Sequence, residues 1–505
     1  RVLFRSLAVS ARDAAALDAF AGAALPLVRA GRARVIVAIP APPPGRLGFV
    51  VAAGPDIAPR SRLVSPTTRT PGLVANVDLA PTVLAWHNLS PVAPVAMAGR
   101  AVRTSASPAP WRATATLDRQ VVATANATVP VLVGYGTFAM GVALLALVAL
   151  ATRRAAVAQR ARFGLLMAAA ALVALLAMGI WSPRSPWLYG FGVIGVSAVL
   201  ACLATLVGPR LGVPPLGVLL VVTAAAVAVD ALFGAPLVSH ALLSGYYLPG
   251  IRFYGIGNEF SSLSIGAALV GFFLTPRPSF RSGNAGRGTR KAALLLWIAV
   301  VVATGVPAWG ADAGGALSGT MTFAMAFLAL RAGRLRARHV AIALAVGVAV
   351  TLTFALLDRL RPEEARSHVG AAVAAGQSRG PDALWEIVRN KVAMSLRLTA
   401  TPGAAGALAG LGLIGWILFR GPLAGRVAAV LTARPDLRTV LAPAAWGALA
   451  ATLFNDSGII PALLLLTPPT AAVIDGLLCD SSQWITEPGA SASPPATIWG
   501  GAPTR

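Results

Sequence analysis

The stretch VLVGYGTFAMGVALLALVALATRR, Val131 to Arg154, decides the fold: an apolar run long enough to cross a bilayer ends abruptly in paired arginines. About 20 apolar residues are needed to cross roughly 30 Å of hydrocarbon in a helix. The same pattern recurs downstream. Eleven apolar stretches lie at 131–151, 163–181, 187–207, 215–234, 260–275, 292–309, 315–331, 339–357, 403–419, 439–454 and 458–478. Several are short, so the count ranges from ten to twelve. The expected fold class is mainly α: a polytopic transmembrane helical bundle over residues 131–478, preceded by a partial α/β segment.

The basic residues between the runs alternate in density. One set of loops carries Arg153, Arg154, Arg160 and Arg162, then Arg210, then Arg277, Arg281, Arg287, Arg290 and Lys291, then Arg331, Arg334, Arg336 and Arg338, then Arg420, Arg426, Arg434 and Arg438. The intervening short loops hold Arg184, Arg252 or no basic residue. By the positive-inside rule the dense set is cytoplasmic. The loop 358–402 carries seven basic residues, but five acids accompany them and its length weakens its vote. Residues 1–130 then lie outside, and 479–505 form a cytoplasmic tail without regular structure.

Composition agrees. The 505 residues are 56% hydrophobic and 12% charged, with a mean hydropathy of +0.73, which excludes an ordinary soluble enzyme. The formal charge of +24 sits in short loops rather than on one soluble face, so orientation in a membrane explains it and nucleic acid does not. Lys291 and Lys391 are the only lysines; arginine with abundant alanine is the coding bias of a GC-rich bacterial genome, which points to a bacterial cytoplasmic membrane. Cys202 and Cys479 are too few and too scattered for a disulfide framework. The chain starts at Arg1 with neither methionine nor signal peptide, as expected of a piece of a longer protein.

Residues 1–105 read as the soluble part. Ala14, Leu17, Phe20 and Leu25 recur at helical spacing within 10–30, and Arg34–Ile39 and Leu47–Ala52 read as strands separated by the turn Pro40–Pro44. Asp78 is placed to cap a helix that has Pro81 in its first turn and Val83, Leu84 and Leu89 on its apolar face. Residues 106–130, mixing Ser, Thr and Pro, read as a linker.

Asp78-Leu79-Ala80-Pro81-Thr82-Val83-Leu84, preceded by Gly54-Pro55-Asp56-Ile57 and followed by Gly99-Arg100, resembles the C-terminal section of the alkaline phosphatase and sulfatase superfamily. The resemblance covers residues 10–105 and implies an α/β layer beside a central sheet. It also implies phosphate or sulfate ester chemistry with divalent metals, which activate a nucleophile and stabilise the transferring group. The strand that would end in the metal-binding Asp-His-Gly of such proteins reads Val35-Ile36-Val37-Ala38-Ile39-Pro40-Ala41-Pro42-Pro43, which offers no ligand. No metal site is identified, and a divalent metal is expected only if ligands lie upstream of Arg1. His87, the segment's one histidine, reads as a helix-end residue.

In the membrane half, Gly250-Ile251-Arg252-Phe253-Tyr254-Gly255-Ile256-Gly257-Asn258-Glu259-Phe260 is the densest unusual sequence. Its glycines permit irregular backbone. Arg252 suits a phosphate or carboxylate, and Glu259 suits a base, a cation ligand or simply an ion-pair partner for Arg252. Asp312, in Gly310-Ala311-Asp312-Ala313-Gly314-Gly315, and Asn455-Asp456-Ser457-Gly458 fall on the same outer side, as does Asp230. Each alone suits a cap or turn; together, carboxylates at membrane depth suggest a polar cavity. In the long outer loop His368 can transfer protons at neutral pH, and Leu384, Val388, Val392 and Leu396 mark a helix lying on the membrane surface.

The catalytic candidates are thus Glu259 and His368, and the substrate-binding candidates Arg252, Asn258, Asp312, Asn455 and Asp456. The first functional reading is phosphoester hydrolysis or phosphoryl-group transfer on a lipid-linked phosphate or envelope polymer at the outer face, with membrane lipids as partners. The alternatives are a glycan polymerase or ligase using a lipid-diphosphate donor, and a transporter or flippase. A passage lined by Asp230 and Asp312 would favour transport; a closed bundle floor would favour surface chemistry.

Overall fold

A computed structural model describes residues 14–38, 45–89, 99–181, 183, 185–244, 247–248, 250, 252–274, 283–362, 365–367 and 381–480. The N-terminal segment contains α1 (Ala14–Arg29), β1 (Val35–Ala38), β2 (Val50–Ala53), β3 (Ser61–Val64), α2 (Leu79–Trp86) and β4 (Arg103–Ala106). The bundle follows as α3 (Pro110–Thr152), α4 (Ala155–Trp181), α5 (Pro186–Leu211), α6 (Pro215–Leu232), the short α7 (Pro236–His240), α8 (Asn258–Gly271), α9 (Gly283–Gly305), α10 (Ala313–Ala332) and α11 (Ala337–Arg359). It closes with α12 (Pro381–Thr399), α13 (Pro402–Phe419), α14 (Ala424–Ala433), α15 (Pro435–Phe454) and α16 (Ile460–Asp480).

Among the described residues, ten helices are long and apolar enough to cross a membrane. They match the predicted runs at every position except 260–275, where α8 has only 14 residues, about 21 Å of rise. Every residue of α8 is buried. It stands in the middle of the bundle, packed by α6, α9, α10, α15 and α16.

Small residues let the helices close on it. A Cβ at Gly266 would overlap the Leu465 carbonyl of α16, and one at Gly271 would press on Val221 of α6. Close backbone approach of this kind is how helices pack without a hydrophobic driving force in lipid. Trp297 of α9 donates its indole N–H to the Ala268 carbonyl at 2.9 Å and stacks on Phe323 of α10, ring centroids 5.2 Å apart. The outer helices α3, α5, α11 and α13 instead expose large apolar side chains such as Met140, Phe191, Leu356 and Trp416, the surface a bilayer would solvate.

Two expectations are corrected. Most of the stretch 106–130 read as a linker is the first part of α3, which starts at Pro110, a helix whose 43 residues reach about 64 Å, twice the hydrocarbon thickness. Its Pro110–Pro130 end therefore projects past the span and carries the N-terminal segment. The expected α/β layer is absent among the described residues: β1 pairs with β2 and β3 with β4, giving two separate antiparallel ribbons. Four-residue strands joined in pairs leave no broad sheet face for a helix layer to cover. The turn Pro40–Pro44 and the tail from 481 onward lie outside the described residues.

Since the α8–α16 contact admits no side chain, Gly266→Ala should lower stability by about 1–3 kcal/mol. Gly410→Ala, at a position with nothing within 4 Å of the added Cβ, should be neutral. Thermal unfolding in detergent measures both; equal melting temperatures for the two variants would contradict the packing described.

Candidate functional site

At one end of the bundle the loops before α8, before α10 and between α15 and α16 meet beneath the N-terminal segment. Gly255 (φ +78°) lies so close to Gly310 that a Cβ would overlap its carbonyl, and the Ile256 N–H donates to that carbonyl at 2.9 Å. Arg252 turns back and donates from Nη1 to the Ile256 carbonyl. Part of its guanidinium thus fastens its own loop.

From the first turn of α8, Asn258 donates through Nδ2 to Asp456 Oδ1 at 2.8 Å and Ser457 Oγ at 2.6 Å. Glu259, buried, occupies the same turn. Asp312 caps α10, accepting the Gly315 N–H on Oδ1 at 3.0 Å. A Cβ at Gly315 would overlap both Ser261 Oγ and Asp312 Oδ2, and one at Gly314 would overlap Asn455 Oδ1. Six predicted residues, Arg252, Asn258, Glu259, Asp312, Asn455 and Asp456, therefore share one end of the bundle around two helix N-termini. Glu259 and Asp312 place carboxyl groups at the positive ends of α8 and α10. Ser262 Oγ and Asn455 Oδ1 are buried without a hydrogen-bond partner among the described residues.

Asp312, in the loop preceding its span, has its pKa raised, first by burial; Arg252, the Gly315 N–H and Ser261 pull the other way, while Asp456 adds to the rise. Ala311 beside it holds φ +51°, a left-handed geometry that strains an alanine.

The other candidates fall elsewhere. Asp230, in the last turn of α6, accepts the Leu237 and Val238 N–H groups at 2.9 Å each, so it serves the turn into α7. His368 lies outside the described residues. The predicted surface helix is α12, with Trp385, Val392 and Leu396 exposed; Ser395 and Thr399 on it lie against the 455–458 turn, with Ser395 Oγ donating to the Asn455 carbonyl at 3.3 Å.

Asp78 differs from the cap expected of it. It stands just before α2 but makes no side-chain cap bond. Fully buried, it accepts Ser65 Oγ at 2.7 Å, Thr67 Oγ1 at 2.5 Å, the Ala75 N–H at 2.9 Å and the Arg100 N–H at 3.0 Å. The carboxylate thereby builds the 65–72 loop, which presents Arg69. Arg69 donates to the Pro307 and Ala365 carbonyls, each at 3.0 Å, and lies 3.8 Å over the Tyr254 ring. Its pKa is lowered, chiefly by burial. Arg100 adds a bond to the Arg366 carbonyl at 3.3 Å. Asp358, fully buried at the end of α11, orders this receiving loop by accepting the Ser367 N–H and Oγ, each at 2.8 Å.

Beside this contact lies a cavity of 810 Å³, bounded by the β2 and β3 region, the projecting end of α3 and Tyr247, Leu248, Gly250 and Phe253. Apolar residues including Leu63, Val74, Leu117 and Phe253 line it, with Arg46, Arg60, Arg62 and Asp118. The Arg62 chain lies near Gly72, and its Nε is buried with no partner among the described residues. Among the described residues no group of three or more His, Cys, Asp or Glu side chains is placed to hold a metal.

No family model, curated protein or solved structure matches this chain. The fold itself defines a mainly helical, polytopic membrane protein.

Two outcomes follow. Arg69→Ala should speed tryptic cleavage at Arg60 and Arg62 while the bundle stays folded, and Arg69→Lys should restore little, since one ammonium cannot bridge two carbonyls and stack as a guanidinium does. For Asp312, a raised folded pKa means that its stabilising contribution is full below the ordinary value of 3.8 and is lost as pH rises through the raised value. Asp312→Asn should therefore flatten that part of the pH–stability curve and raise the melting temperature at neutral pH; an unchanged slope would contradict the burial described.

Proposed function

We propose that this is an integral protein of a bacterial cytoplasmic membrane whose N-terminal segment faces outward and, with the outer loops of the bundle, binds a phosphate-bearing amphiphile. The observation that carries the reading is the cavity of 810 Å³ between that segment and the bundle, within the range of about 300–1,000 Å³ typical of sites for organic ligands. Its apolar walls suit a hydrocarbon chain. Its arginines, above all Arg62 with an unspent buried donor, suit an acidic head group. The cavity wall at Phe253 adjoins Arg252, the first residue of the polar cluster.

In this reading the alkaline-phosphatase-like stretch is a positioning roof rather than a metal centre, which accords with the structural use of Asp78. The reaction proposed is hydrolysis or transfer of the phosphoryl group at the bundle face. Arg252 and the N-termini of α8 and α10 would stabilise charge on the transferring group, and Glu259 would accept the proton of the attacking hydroxyl or water as the new P–O bond forms and return it to the ester oxygen that leaves as the old P–O bond breaks. Transport through the bundle is disfavoured, because α8 below Ser264 is apolar and fully packed.

The test uses the full chain in nanodiscs with a fluorescent polyprenyl phosphate and the matching uncharged polyprenol. Preferential binding of the phosphate is expected, with about a tenfold loss on Arg62→Gln, the effect of one charge-assisted hydrogen bond. Val74→Trp, which fills the cavity, should abolish binding. Equal affinity for phosphate and alcohol would sink the reading.

A further inference from the structure

The far end of the bundle holds a second cavity that the outer-face reading does not use. It measures 460 Å³ and lies between Arg162 of α4, Thr205 and Pro209 of α5, Arg434 just before α15, and Asp475 and Cys479 of α16. Its position follows from α16, whose first turn adjoins the 455–458 loop and whose last turns carry Asp475 and Cys479.

The charges here are unequal. Asp475 is fully buried and accepts Arg162 Nε on Oδ1 at 2.8 Å, which leaves the two terminal nitrogens of that guanidinium for another acceptor. Arg434 brings a second positive charge, and its Nη1 is buried with no hydrogen-bond partner among the described residues. Two guanidinium groups thus face one carboxylate. The turn leading into α6, Val213 to Pro215, borders the same cavity and adds the positive end of a helix dipole. A buried, unspent guanidinium donor beside a cation surplus calls for an anionic acceptor.

The surroundings decide which anion. The cavity opens beside α5, whose Leu203, Leu206 and Leu211 are exposed and whose surface is the kind a bilayer covers. A head group seated between Arg162 and Arg434 would keep its acyl chains along α5. We infer that this is a binding site for the phosphodiester of an anionic membrane phospholipid, held by the terminal nitrogens of Arg162 and by Arg434 Nη1. The arginine-rich loops at this end concentrate such lipids nearby, but the cavity selects one.

The experiment is native mass spectrometry of the full chain released from mixed phosphatidylglycerol and phosphatidylcholine nanodiscs. The protein should retain one phosphatidylglycerol in preference to phosphatidylcholine, and Arg434→Gln should cut that preference roughly fivefold, the share of one arginine near an anionic surface. Thr205→Trp, at the exposed mouth with both arginines intact, should cut it as well and stands in if Arg434→Gln fails to fold. Arg334→Gln, on an exposed loop away from the cavity, should leave it unchanged. Inorganic phosphate at millimolar concentration should not displace the lipid. Equal retention of the two lipids, an equal loss in Arg334→Gln, or displacement by inorganic phosphate would each overturn the assignment.

Discussion

A helix that is buried on every side and begins with Asn, Glu and two serines imposes its own terms on the protein around it. The four N–H groups of the first turn of α8 and the side chains of Asn258, Glu259, Ser261 and Ser262 stand where lipid and apolar neighbours offer nothing. Their partners must come from the loops at that end. Asp456 and Ser457 answer Asn258, and the Gly310 carbonyl takes the N–H of Ile256 just before the helix. The glycines at 255, 310, 314 and 315 follow from the same demand, because each lies where a Cβ would strike backbone or a polar side chain of the cluster. The polar cluster is therefore a consequence of placing α8 in the centre.

The same end receives the N-terminal segment, and two carboxylates prepare the two sides. Asp78 shapes the 65–72 loop from within the segment; Asp358 holds Arg361 and Ser367 from the end of α11. Arg69 joins the shaped surfaces through two backbone carbonyls and an aromatic face, contacts a guanidinium makes with little loss of order. Because Tyr254 belongs to the loop that carries Arg252, a displacement of Arg69 is felt directly by the polar cluster. The projecting end of α3 completes the attachment through Leu117 and Val121 against Leu73 and Tyr247. Segment and bundle thus form one continuous packed surface around the cavity.

How much of this was legible in the sequence depends on what each signal measures. Hydropathy reports composition, so it found every apolar run but did not distinguish α8, enclosed by protein, from helices that face lipid. Polar residues in apolar surroundings are rare, which is why Asn258, Glu259, Asp312, Asn455 and Asp456 stood out and do meet at one end. Arg69 and Asp358 did not stand out: Arg69 is one of many arginines, and Asp358 lies in a charged run whose burial only the fold creates. Asp78 was visible as a residue before a helix, yet its side chain turns toward Ser65 and Thr67, whose pairing no local pattern encodes. The α/β layer failed for a related reason: four-residue aliphatic runs have the same pattern in a broad sheet and in an isolated ribbon.

The central helix also limits what the polar cluster can do. Below Ser264, α8 continues as Ile265, Ala267, Ala268, Leu269 and Val270, all without exposure, and Gly266 and Gly271 hold α16 and α6 at backbone distance. A helix locked by backbone contact has no side-chain layer that can rearrange to open a path, so movement past it would require separating whole helices. The approach to the cluster then lies on its own face, where the long α3 and the Arg69 contact hold the N-terminal segment. The Arg162–Asp475 pair, far below, braces α4 against the end of α16. One helix, α16, thus runs from the 455–458 turn beside the polar cluster to this ion pair at the other end.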